Sequence, residues 1–88
     1  MRHAGPADLD RLEPLLAQIR DLGGLTEKKR GTFYRKSRAF LHFHQDPKGL
    51  HADLRLAGED FDRFRLEEPA EQAALIARIK AALTGSSA

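Results

Sequence analysis

GTFYRKSRAFLHFHQDPKGLHADLRLA, residues 31–57, decides the fold. From Phe33 to Leu56 apolar and polar side chains alternate, and aromatics are frequent. A period of two sends successive side chains to opposite faces of a strand. Three strands are expected, over about 31–36, 38–45 and 50–57. Asp46-Pro47-Lys48-Gly49 is the turn between the last two. Proline presets φ at the second turn position, and glycine accepts a positive φ at the fourth. The second and third strands therefore read as a hairpin.

The register of that hairpin decides what its polar residues can do together. If Gln45 pairs with Leu50, His44 lies opposite His51 and His42 opposite Asp53. His42, His44, His51, Asp53 and Arg55 then share one face, while Leu41, Phe43, Ala52, Leu54 and Leu56 form the other. If the turn carries a glycine bulge, Asp46 pairs with Leu50 and the two polar sets separate. The turn residues favour the bulge. Burying a continuous apolar face, at about 25 cal/mol per Å², outweighs a turn preference, so the clustered register is expected.

Outward from this core lie two helices. Leu9, Leu12, Leu15, Leu16, Ile19 and Leu22 recur at helical spacing, which predicts a helix over 8–22. Asp8 or Asp10 is the expected N-cap, and Asp10 with Glu13 has capping-box spacing. Pro14 requires a start near Asp10 or a bend in the first turn. Gly23-Gly24 supplies the stop. After Gly58-Glu59-Asp60, residues 61–66 read as a short fourth strand or one helical turn. Pro69 opens a second helix over 69–83, with Leu75, Ile76, Ile79, Ala82 and Leu83 as its buried stripe. The expected architecture is α+β, in the order α-β-β-β-(β)-α, with both helices on one face of a small antiparallel sheet. Residues 1–84 form a single domain and 85–88 a disordered tail.

The chain has 88 residues, 32% of them charged, and no cysteine, which removes disulfides, thiol catalysis and Cys-based zinc sites. Its first ten residues lack the apolar core of a secretory signal, and no apolar run approaches membrane-spanning length. The expected setting is cytoplasmic. No phosphate loop and no nucleophile elbow occurs.

A net charge of +2 conceals one concentrated basic segment. Residues 28–38, KKRGTFYRKSR, carry six positive charges and no negative ones. Lys28, Lys29, Arg30, Arg35, Lys36 and Arg38 surround Phe33 and Tyr34. Cations hold phosphates, and an exposed aromatic such as Tyr34 offers a base a stacking platform. The same charges also suit an edge strand that must not pair with other chains. On the hairpin, His42, His44, His51 and Asp53 together supply imidazole and carboxylate ligands suited to a divalent metal. They equally suit the solvated face of a half-buried sheet, where cross-strand polar pairs stabilise the ladder.

LHADLRL, residues 50–56, resembles the LHxDxRL signature of the 3′-phosphoesterase domain of bacterial DNA ligase D. That resemblance implies a metal held by His44, His51 and Asp53, with Arg55 on phosphate. The spacing from His44 to His51 is one residue longer than in that family, and no histidine follows His51 to match its further catalytic one. Taken whole, residues 31–83 resemble a small family of uncharacterised bacterial proteins, which brings no activity with it.

These readings lead first to a small binding module without enzymatic activity, whose anionic partner, nucleic acid, meets Lys28, Lys29, Arg30, Tyr34, Arg35, Lys36 and Arg38. No cofactor is required by it. A metal-dependent phosphoesterase-like site at His42, His44, His51, Asp53 and Arg55 is the alternative. A homo-oligomer, assembled through an edge strand or the open sheet face, is the third.

Overall fold

The computed structural model describes residues 2–56 and 59–84. Eight elements follow in order: β1 (Arg2–His3), α1 (Pro6–Leu22), β2 (Thr26–Lys29), β3 (Thr32–Arg35), β4 (Arg38–Asp46), β5 (Gly49–Leu54), β6 (Asp62–Arg65) and α2 (Pro69–Leu83). Strands β2 to β6 form an antiparallel meander in sequence order. β1 pairs with the far end of β4, Arg2 opposite Gln45 and His3 opposite His44. It takes up the edge of β4 that the short β3 leaves free.

One cluster makes the core. Leu12, Leu15, Leu16 and Ile19 of α1 and Leu75, Ile76 and Ile79 of α2 join Phe33, Leu41, Phe43, Leu50, Ala52, Leu54 and Leu66. Both helices thus lie on the apolar face of the sheet. The opposite face carries the polar residues of β4 and β5. No helix is long and apolar enough to cross a membrane among the described residues.

The hairpin takes the clustered register. Asp46 pairs with Gly49, Gln45 with Leu50, His44 with His51 and His42 with Asp53. Asp46 Oδ1 accepts the Lys48 amide at 2.8 Å, which closes the two-residue loop from within. Gly49 sits at φ +121°, so glycine relieves the turn without a bulge.

Several expectations shift. α1 begins at Pro6, and its cap is Gly5, whose amide donates to Asp8 Oδ2 at 3.0 Å. Asp8 therefore sits inside the first turn, where a carboxylate also favours the helix dipole. Asp10 and Glu13 do not form a capping box, because the helix starts four residues earlier and both lie within it, where their carboxylates pair with Arg30. The helix runs through Pro14. Residues 61–66 resolve as a strand, and Leu66 N–H extends its ladder to the Leu50 carbonyl. β1 and β2 are additions. A two-residue strand has no period to read, and Thr26-Glu27-Lys28-Lys29 has no apolar side chain to alternate. The third strand ends at Leu54, earlier than expected. The proposed tail, 85–88, lies outside the described residues.

Candidate functional site

The basic segment, continuous in sequence, divides in space. Lys28, Lys29 and Arg30 stand at one end of the β2–β3 hairpin, and Arg35, Lys36 and Arg38 at the other. They stand at opposite ends of β3, whose four residues span about 13 Å at 3.3 Å per residue.

At the first end the charges are largely engaged. Arg30 donates to Asp10 Oδ1 and Glu13 Oε1, both at 2.8 Å. Arg20 bridges Glu13 and Glu27, each at 2.6 Å. Glu27 Oε2 also accepts the Gly31 amide at 2.9 Å. This network ties α1 to the β2–β3 turn. Lys28 lies over the Tyr34 ring at 4.5 Å, so one face of the expected stacking platform is already covered. Arg30 and Arg20 hold the Glu13 carboxyl below the usual range, and Arg20 does the same for Glu27. A depressed carboxylate stabilises the fold above its unfolded value, about 4.3, and that contribution is lost as pH falls through its lower folded value. The urea midpoint is therefore expected to fall below about pH 4.3, and less steeply in a Glu13→Gln variant. Equal slopes in the two proteins would remove the network's role.

At the second end four cations converge. A cavity of about 200 Å³ is lined by Arg35, Lys36, Arg38, Ala39, Phe40, Arg55 and Leu56. Arg35 pairs with Arg38 across a two-residue turn, in which Lys36 (φ +52°) and Ser37 (φ +71°) are both left-handed. That is the backbone of a type I′ turn, which matches the twist of a hairpin but is unfavourable for side chains other than glycine or asparagine. Arg55 arrives from β5, anchored by Nε–H to the Ala39 carbonyl at 3.0 Å. Glu59, 85% exposed at its side chain, lies 3.1 Å from Arg38 Nη2 and 3.6 Å from Arg55 Nη1.

The open sheet face holds the histidines. His42 Nδ1 and His44 Nε2 are 2.8 Å apart, and His44 Nε2 is 3.3 Å from Asp53 Oδ2. Asp53 is a buried charge, 7% exposed. Arg63, directly opposite on β6, compensates it through two bonds of 2.9 and 3.2 Å. Burial pushes the His42 pKa down, the neighbouring His44 adds to this and Asp53 opposes it. His44 is likewise lowered by burial, against the pull of Asp53. Both shifts favour the neutral ring.

His51 shares the face but stands apart, its Nδ1 3.8 Å from Asp46 Oδ1. The expected metal set is accordingly brought together only in part. His44 adjoins both His42 and Asp53, and the third imidazole comes from His3 rather than His51. Arg55 points to the cavity and to Phe61, whose ring it covers at 4.5 Å, while His42 meets the same ring edge-on at 4.8 Å. His3, Arg63 and Phe61 were not legible as site residues. Arg63 had a signal, since Arg63 and Arg65 alternate with Phe64 in 61–66, but its register against Asp53 did not. The chain matches no protein-family model, no curated protein and no solved structure.

Proposed function

We propose that this chain is a binding module for a phosphate-bearing polyanion, with nucleic acid as the partner class. The observation that carries the reading is the cavity at the β3–β4 turn, where Arg35, Lys36, Arg38 and Arg55 line one concave surface. Guanidinium groups match phosphate oxygens in geometry as well as charge. Phe40, Ala39 and Leu56 give the cavity an apolar part, where a sugar or base edge loses water favourably. Glu59 bridges two of the arginines from the solvent side, in the place an incoming phosphate would take. It is an exposed and displaceable competitor.

Fluorescence anisotropy with labelled single- and double-stranded oligonucleotides tests this at about 50 and 200 mM salt. Affinity is expected to fall with salt. Changing Arg35, Lys36 and Arg38 together to Ala should weaken binding at least about tenfold and flatten the salt slope by roughly the number of phosphate contacts removed. Glu59→Gln should tighten it, and Lys28→Ala with Lys29→Ala should change it little. No binding at the lower salt, or full binding by the triple variant, would overturn the reading.

The clustered register favours a second reading, a metal-dependent phosphoesterase-like site at His42, His44, Asp53 and Arg55. Release of phosphate from a 3′-phosphorylated oligonucleotide with manganese, abolished by Asp53→Asn, is its expected result. Intact substrate after prolonged incubation would leave binding alone.

A further inference from the structure

The geometry points to a transition-metal site of the zinc class on the open sheet face, held by His3, His42 and His44 with Asp53 alongside. The site joins the N-terminal strand β1 to β4, and it stands independently of the anion-binding reading.

The three imidazoles offer ligand nitrogens that all lie within 4.8 Å of one another. Nitrogens about 2.1 Å from a tetrahedral ion sit about 3.4 Å apart, so small ring rotations suffice. Strand pairing brings them there. His3 is directly opposite His44, and the rings stack at 4.6 Å with 29° between their planes. His42 and His44 are two apart on one strand, so they share its face.

Hydrogen bonding alone does not satisfy this arrangement. His42 Nδ1 and Asp53 Oδ2 both close on the single atom His44 Nε2. If that nitrogen carries a proton, one hydrogen must serve both neighbours. If it carries a lone pair, it faces a carboxylate oxygen lone pair. A cation resolves the conflict at this atom, since it accepts the nitrogen lone pairs while the Asp53 carboxylate beside His44 Nε2 balances its charge.

The composition also selects among ions. Arg63 already neutralises Asp53, so the site presents imidazole nitrogen more than net negative charge. Calcium and magnesium require several oxygen ligands, whereas zinc and its neighbours accept three imidazoles. Arg63 fixes the carboxylate from behind and is a positioning residue.

Calorimetric titration of the untagged full chain with zinc, after dialysis against a chelator, is the test. One zinc per chain is expected. His3→Ala should weaken it at least about 100-fold, Arg63→Gln about tenfold, and His51→Gln should leave it unchanged. The His3 ring is exposed, so its removal leaves the core intact, which circular dichroism verifies. Absence of heat at a several-fold excess of zinc would overturn the site. So would equal affinity of the parent chain and the His3→Ala variant.

Discussion

Leu41→Ala is expected to lower stability by about 3–4 kcal/mol, and His42→Gln, one residue further along the strand, by under about 1 kcal/mol in the presence of a chelator. Leu41 is fully buried. It lies on β4 between Phe33 of β3 and Leu54 of β5, its direct cross-strand partners. Loss of one methine and two methyl groups would leave a space that neither neighbour can fill, because both are themselves wholly enclosed. Lost transfer energy and residual cavity therefore add. A domain of this length has a total stability of roughly 4–13 kcal/mol, so the variant should be partly unfolded at modest temperature. His42 faces the other way, where its neighbours include His3, His44 and Phe61. Urea unfolding of the two variants measures the contrast. Comparable losses would mean that β4 does not present alternate residues to a core and an open face.

Gly49→Ala is expected to cost about 2–4 kcal/mol, a large effect for one methyl group. At φ +121° an L side chain is strained wherever it stands. The added Cβ would lie 2.2 Å from Glu67 Oε2, 2.5 Å from its Cδ and 2.8 Å from its Cγ. Glu67 would have to withdraw, and with it the acceptor that now takes the Leu50 amide at 2.5 Å. Backbone strain contributes about 1–3 kcal/mol, and a lost bond to a charged acceptor adds a comparable amount. Adding Glu67→Ala separates the two terms. If overlap dominates, Gly49→Ala costs much less in the Glu67→Ala background; if strain dominates, the cost is unchanged. A neutral Gly49→Ala in the parent chain would count against this turn, and against the register it closes. Loss of the register would also disperse His42, His44 and Asp53, so zinc binding should fall with stability.

The alternation of residues 33–56 determined most of the sheet by itself. Leu41, Phe43, Ala52 and Leu54 had to share a face because side chains on a strand repeat every two residues. Burying that face then chose the register over a turn that favoured a bulge. The helical stripes Leu12–Ile19 and Leu75–Ile79 were legible for the same reason, a period long enough to repeat. Tertiary structure decided what had no period. β1 is two residues long and pairs with a strand distant in sequence, β4, so His3 joined the histidines unannounced. Arg30 read as a free cation until α1 brought Asp10 and Glu13 against it. The basic segment read as one surface until β3 ran through its middle and separated its ends. Arg55 reached the cavity of Arg35, Lys36 and Arg38 because the meander sets the end of β5 beside the start of β4. Pairing between strands distant in sequence places charges and ligands together, and a local pattern carries no record of that distance.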